Sequence, residues 1–202
     1  MRLKHILILS LSVLLGINLG YGKDLKIGKS APDFSLTDIA GKVHALKDYR
    51  GKYVVLEWVN YDCPFVKKHY KSGNMQSLQK TYTEKEVVWL SINSSASGKQ
   101  GNFSSEEILK RAQAQGASFS AYLVDDDGKI GKMYEAKTTP HIFIIDPKGK
   151  LVYRGAIDNI RSTNVEDIAK AENYVSAALD ASMAGEKIEI SNTKSYGCSV
   201  KY

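Results

Sequence analysis

The sequence predicts a mixed α/β fold, in which a central mixed β-sheet carries helices on both faces. Short runs of β-branched and aromatic residues, typical of strands, alternate with segments of helical periodicity through the first two thirds of the chain. A strand–turn–strand pattern and one longer helical segment follow them. Alternating strands and helices give parallel strands and a hairpin adds antiparallel ones, so the sheet is expected to be mixed.

The elements are expected in the following order. Residues 23–50 form an extended lead-in with a short hairpin that turns at Gly41 and Lys42. Strands are predicted over residues 53–59, 87–92, 121–124, 141–146 and 151–155. Helices are predicted over residues 64–70, 75–82, 104–115, 129–136 and 166–183. The strand at 53–59 is dominated by β-branched and aromatic residues and contains one acid, Glu57, which indicates a buried, central position for this strand.

The first 22 residues have the composition of a secretory signal peptide. A positively charged segment at residues 2–5 precedes an apolar stretch at residues 6–19, and Gly20 and Gly22 supply small residues at a cleavage site. The apolar stretch is shorter than the roughly 20 residues that a membrane-spanning helix needs. We therefore predict cleavage after Gly22 and a periplasmic or secreted protein without stable membrane insertion. The alternative is an uncleaved N-terminal anchor.

After cleavage we expect one domain at residues 23–184 and a C-terminal tail at residues 185–202. The 202-residue chain has 28 basic and 22 acidic residues, and the signal peptide removes Arg2 and Lys4 but no acid. The remaining excess of basic residues is small and scattered, so nucleic-acid binding is not expected. Three consecutive acids at residues 125–127 lack the glutamate of a calcium loop, and no metal or cofactor is expected.

Cys63 is the main candidate site residue, because it lies where the central strand meets the next helix. Pro64 suits the first helical position, which places Cys63 at the N-cap. A thiol there faces unpaired backbone N–H groups and the positive end of the helix dipole, and both favour the thiolate, whereas Asp62 opposes it. The alternative is an inert buried cysteine. Lys67 and Lys68 are expected on a solvated helix face.

Four stretches resemble a known family. They are GKSAPDF at residues 28–34, GKYVVL at 51–56, Thr139-Pro140, and FIIDPKG at 143–149. In this order they resemble the thioredoxin-fold superfamily, and within it the AhpC/TSA-type redoxin branch of peroxiredoxin-like and thioredoxin-like exported proteins. The resemblance covers residues 27–183 and implies a thioredoxin-like fold.

Three departures from the family pattern bear on activity. Thioredoxins use Cys-x-x-Cys, but Val66 stands at the second cysteine position, so a local dithiol is impossible. Peroxiredoxins place threonine or serine where this chain has Asn60, and arginine where it has Pro140. Those two side chains position and polarise a peroxide in the family, so their absence argues against efficient peroxidase chemistry.

The resemblance also implies roles for individual residues. The Cys63 thiolate would attack a substrate disulfide. Pro140 would be cis and would bring the Thr139 backbone beside Cys63, where it can pair with an extended substrate chain. Glu57 matches a buried acid that assists proton transfer in thioredoxin relatives, with a half-exposed glutamate as the alternative. His141 is expected to be structural.

Cys198 has three interpretations. It is a resolving partner that forms a disulfide with Cys63, a structural staple for the tail, or a link to another chain. Export would bring both cysteines into an oxidising compartment, where they can pair. The small, polar residues around Cys198 suit a mobile arm, which favours the resolving role.

Three functions therefore remain open. The first is an exported thiol–disulfide oxidoreductase acting on protein or small-molecule thiols and disulfides. The second is a peroxiredoxin-like thiol peroxidase that reduces peroxides with Cys63 and Cys198. The third is a copper-binding chaperone with Cys63, Cys198 and His141 as ligands, although the two cysteines lack the close spacing of such carriers.

Overall fold

The computed structural model describes residues 25–202. The signal peptide and the cleavage site predicted for residues 1–22 lie outside this range. Within it, no helix combines the length and the apolar character that crossing a membrane requires.

A seven-stranded mixed sheet forms the centre of the fold, as predicted. The strands of residues 25–202 are β1 (Ser35–Asp38), β2 (Val43–Ala45), β3 (Val54–Trp58), β4 (Val88–Asn93), β5 (Ala121–Val124), β6 (Thr138–Thr139), β7 (His141–Ile145), β8 (Leu151–Gly155) and β9 (Cys198–Ser199). The main sheet has the order β2-β1-β5-β4-β3-β7-β8, while β6 and β9 form a separate pair. Strand β3 is central and completely buried, between parallel β4 and antiparallel β7.

Helices cover both faces of the sheet. They are α1 (Pro64–Lys71), α2 (Asn74–Thr83), α3 (Ser105–Ala114), α4 (Lys129–Met133) and α5 (Tyr174–Met183). Side chains of α1, α2, α3 and α5 pack together on the face of β3 that includes Val55. Residues of α4 and of the N-terminal lead-in pack on the opposite face, against Trp58 and Phe143. The predicted fold class is therefore confirmed.

The helix predicted over residues 166–183 is wrong in its first half. A 3-10 helix occupies Val165–Lys170, and α5 begins only at Tyr174. The side chain of Asn173 accepts hydrogen bonds from the N–H groups of Val175 and Ser176, each at 3.0 Å. This N-cap starts a new helix, because a side chain that satisfies the first free N–H groups stabilises a helix end.

The C-terminal tail follows a defined course along the domain. It first runs beside β8, where Arg154 donates its N–H to Ser191 at 3.1 Å and accepts from Thr193 at 3.0 Å. It then forms β9, which pairs antiparallel with β6. At its end, the Tyr202 hydroxyl donates to the carbonyl of Ala136 at 2.7 Å. Backbone pairing and this terminal contact hold both sides of Cys198.

A buried polar cluster anchors the tail just before β9. The Lys68 side chain is completely buried, and its Nζ donates to Asp158 Oδ2 at 3.2 Å and to the Ile160 carbonyl at 2.9 Å. Tyr196 donates its hydroxyl to the other oxygen of Asp158 and lies 3.3 Å from His69 Nε2. Burial lowers the pKa of His69 to about 4, so this ring is neutral at pH 7. Lys68 was expected to be solvated, and that expectation is wrong.

Replacing Lys68 by methionine will strongly destabilise the protein. Lys68→Met leaves the Asp158 carboxylate buried without its cation, which typically lowers the free energy of unfolding by about 3–5 kcal/mol. Lys67→Met, on the partly exposed neighbour, is the matched control and should change it by less than about 0.5 kcal/mol. Urea unfolding followed by circular dichroism measures both, and equal losses for the two variants would contradict a buried anchor.

Candidate functional site

Cys63 occupies the N-cap of α1, and Pro64 is the first helical residue, as predicted. The residue is completely buried, and its side chain does not cap the N–H groups of the helix. Its Sγ instead donates to the carbonyl oxygen of Thr139 at 3.0 Å. The helix end therefore fixes where Cys63 lies, while the thiol is directed towards β6.

Thr139 and Pro140 are joined by a cis peptide bond, as the family resemblance implied. Thr139 lies in β6 and is paired with Cys198 in β9. In that register the backbone N–H of Cys198 lies 3.4 Å from Cys63 Sγ. The structure thus brings Cys63, Thr139, Pro140 and Cys198 together, and the chain that pairs with Thr139 is the protein's own tail.

The two thiols interact without being bonded to each other. Cys198 is partly exposed, whereas Cys63 is completely buried below it. Burial raises the pKa of the Cys198 thiol to about 12, and the hydrogen bond and charge of Cys63 act in the same direction. Cys198 is therefore a protonated thiol at neutral pH.

Gly197 makes the close approach of the tail possible. Its φ of +141° lies in a region that residues with a side chain rarely adopt. A Cβ atom at this position would lie 2.0 Å from the carbonyl oxygen of Thr139, which is far below contact distance. A glycine directly before Cys198 thus allows β9 to lie against the cis-proline loop.

Glu57 is completely buried on β3, so the half-exposed alternative is wrong. Its carboxyl group accepts hydrogen bonds from Tyr70, Gln79, Trp89 and Ser91, at 2.8 to 3.1 Å. Burial raises the pKa of Glu57, and these four hydrogen bonds oppose the shift. Neither cysteine is among the hydrogen-bond partners of Glu57 in residues 25–202, and the four donors lie on α1, α2 and β4.

The neighbours of Cys63 have other partners. Asp62, whose charge was expected to oppose the thiolate, forms an ion pair with Arg111 at 2.7 Å. The Asn60 side chain accepts from the N–H of Asp62 at 3.0 Å and donates to the carbonyl of Gln100 at 3.3 Å. Asn60 thus holds the loop before α1 and is not directed at the thiol.

The buried cluster that anchors the tail is hard to predict from the sequence. Lys68 and Asp158 are far apart in the chain, and each is an ordinary surface residue type. Tyr196 is a local signal, because it is a large aromatic residue among the small and polar residues 191–199. It lies two residues before Cys198 and is 6% exposed.

His141 is buried at the start of β7. Burial, with the charges of Arg154 and Lys137, lowers its pKa to about 3. Its Nδ1 accepts the backbone N–H of Lys137 at 3.3 Å. Across residues 25–202, no group of three or more His, Cys, Asp or Glu side chains is arranged to hold a metal ion, so the copper alternative gains no support.

Comparison with known proteins agrees with the motifs and the fold. Residues 27–154 match the AhpC/TSA family. The thiol-disulfide oxidoreductase ResA of Bacillus cereus (strain ATCC 10987 / NRS 248) is 31% identical over 153 residues, which cover 73% of this chain and 82% of that protein.

Solved structures agree with the fold. An uncharacterized conserved protein from Geobacillus kaustophilus superposes with a TM-score of 0.74 at 33% identity, over 89% of this chain and 93% of the other. The thioredoxin domain of a thiol-disulfide oxidoreductase from Bacteroides vulgatus shares the fold alone, with a TM-score of 0.52 at 21% identity over 73% and 97% of the two chains. The thioredoxin-like fold is thus confirmed, and the chain belongs to the AhpC/TSA family.

Proposed function

We propose that this protein is an exported thiol–disulfide oxidoreductase in which Cys63 and Cys198 form one redox pair. The observation that carries the proposal is the β6–β9 register, which holds the Cys198 N–H 3.4 Å from Cys63 Sγ. The similarity to ResA, a thiol-disulfide oxidoreductase by name, supports the reaction class. The signal peptide predicted for residues 1–22 supports export.

The reaction transfers two electrons from the protein dithiol to a substrate disulfide. The Cys63 thiolate attacks one substrate sulfur, a mixed disulfide forms, and the other substrate sulfur leaves as a thiolate. Cys198 then loses its proton and attacks Cys63 Sγ, which releases the second substrate thiolate and leaves a Cys63–Cys198 disulfide. An external dithiol reduces this disulfide by the same steps in reverse.

Two observations support Cys63 as the nucleophile and Cys198 as the resolving residue, namely the N-cap position of Cys63 and the environment of Cys198. A thiol with a pKa near 12 is a poor attacking group at neutral pH, because the thiolate is the nucleophile. Cys63 is completely buried below the tail, so β9 has to separate from β6 before Cys63 meets a substrate. Thr139 and Pro140 then serve as the backbone that a substrate strand contacts.

A thiol peroxidase is the weaker candidate. Asn60 is engaged in backbone hydrogen bonds, and Pro140 stands where peroxiredoxins carry an arginine. The cysteine would therefore lack the side chains that orient a peroxide in that class. Another alternative is a permanent Cys63–Cys198 disulfide that only holds the tail in place. The redox potential of the pair distinguishes such a structural disulfide from a catalytic one.

The first test is the redox potential of the pair. In a series of dithiothreitol or glutathione buffers, mass spectrometry after alkylation should show one Cys63–Cys198 disulfide with a potential above roughly −300 mV, where catalytic and labile disulfides lie. A lower potential would mark a structural staple. Two free thiols under every oxidant would contradict the redox pair altogether.

The second test traps the mixed disulfide. Cys198→Ser should accumulate a covalent adduct with one half of a synthetic peptide disulfide, because the resolving thiol is gone. Cys63→Ser should not, since the attacking thiol is gone and the raised pKa of Cys198 keeps that thiol protonated. Intact-protein mass spectrometry detects the adduct, and an adduct on Cys63→Ser alone would reverse the two roles.

We propose that Glu57 positions α1 beneath Cys63 through Tyr70. A glutamine keeps part of this network, because its amide oxygen can accept from Gln79 and Trp89, but its amide nitrogen then faces the Tyr70 hydroxyl, which loses its acceptor. Proton transfer between Glu57 and the thiols would have to cross intervening groups, because no hydrogen bond joins them among residues 25–202.

The stability of Glu57→Gln relative to the wild type should increase as the pH rises. Above the ordinary carboxyl pKa of 4.5 and below its raised folded-state pKa, the folded wild type keeps a proton that the unfolded chain has released. The wild type therefore loses up to about 1.4 kcal/mol per pH unit in this window, whereas the variant does not. Urea unfolding from pH 5 upwards measures the difference. A rate of disulfide exchange reduced 100-fold with stability retained would instead indicate a proton-transfer role.

A further inference from the structure

We infer that a basic cleft beside the redox pair binds an acidic peptide segment next to the reacting cysteine of a protein substrate. The inference rests on the proposed function and adds the substrate class. The cleft lies between the loop before β7, strand β8 and the tail, and has a volume of about 460 Å³. This is within the range of roughly 300–1,000 Å³ that is usual for ligand sites.

The charges lining the cleft are unbalanced. Lys137, Arg154, Arg161 and Lys194 face a single acid, Glu135. Glu135 is paired with Arg154 at 3.3 Å. The other three cations form no ion pair with any of residues 25–202. They leave the cleft with an excess positive charge that favours a ligand with several carboxylates.

His141 adds a buried hydrogen-bond donor to the cleft. It is 6% exposed and lines the cleft together with the cations. Because its Nδ1 accepts the N–H of Lys137, the proton of the neutral ring lies on Nε2. That N–H donates to no group within residues 25–202. A carboxylate in the cleft would therefore accept from His141 Nε2 and also lie near Lys137.

The position of the cleft connects it to the redox pair. Thr138 and Gly197 border it, and each directly precedes a residue of the site, Thr139 and Cys198. A substrate chain whose cysteine reaches the pair has to continue across a neighbouring surface, and this cleft adjoins that point. Acidic residues a few positions from the substrate cysteine would then meet the uncompensated cations.

The direct test uses a fluorescently labelled acidic peptide without cysteine, so that binding is measured independently of exchange. Lys137→Gln with Lys194→Gln should weaken its affinity about three- to tenfold, which is the effect expected for two exposed charge pairs. The control is Lys80→Gln with Lys110→Gln, two exposed lysines outside the cleft that change the net charge equally. Fluorescence anisotropy at low and physiological salt gives the affinities.

Several results would overturn the inference. The first is an equal loss of peptide affinity in the two double variants, and the second is an equal affinity for a neutral peptide of the same length. The third is that free succinate competes as effectively as the peptide does, which would assign the cleft to a small dicarboxylate. In support, the peptide should shift the NMR signal of the His141 ring but leave that of His44, which is bonded to Asp38 elsewhere.

A kinetic comparison separates this inference from the proposed function. Acidic and neutral peptide disulfides are offered to the wild type and to both double variants. Both proposals are supported if the cleft variant exchanges with the neutral peptide at an unchanged rate but exchanges more slowly with the acidic peptide. Exchange without any preference for the acidic peptide rejects the cleft and keeps the oxidoreductase. Peptide binding without exchange rejects the oxidoreductase and keeps the cleft.

Discussion

The short antiparallel pair between β6 and β9 is the interaction on which the candidate site depends. It places Cys198 opposite Thr139, the residue whose carbonyl accepts the Cys63 thiol. Without this pairing, two cysteines 135 positions apart would have no reason to meet. Because of this pairing, the second cysteine lies beside Cys63 on a neighbouring strand. In a Cys-x-x-Cys motif, the second cysteine instead lies one turn further along the same helix. Val66, at the position of that second cysteine, is 2% exposed and belongs to the hydrophobic core.

A pair of two-residue strands is too short to hold itself in place, so its register has to be fixed from outside. Tyr196 fixes the register on one side, because it is hydrogen-bonded to Asp158, which is paired with the buried Lys68. A buried ion pair gives little net stability compared with apolar residues, but it has a strict geometric requirement. The cluster therefore specifies where the tail lies, and Gly197 then allows the backbone to reach Thr139. Tyr202 fixes the other end.

The sequence predicts those parts of the fold that depend on local patterns. Three features can be predicted because neighbouring residues determine them. They are the apolar strand β3, the N-cap at Cys63 and the closing hairpin. The helix over 166–183 was misjudged, because its apolar stripe continues across a break that Asn173 imposes by capping. Lys68 was misplaced because its partner is remote in sequence. Whether Cys63 and Cys198 meet depends on contacts along the whole tail, which no local pattern reveals.

The tail also limits how a substrate can be recognised. A substrate strand that pairs with Thr139 competes with β9, which is tethered to the same chain and so present at an effective concentration that is typically millimolar. Backbone pairing alone therefore gives a free peptide little advantage over the tail. Net affinity has to come from contacts that the tail does not already make. The surface beside Thr138 and Gly197, with its uncompensated cations and the Nε2–H of His141, is the adjoining place where such contacts remain available.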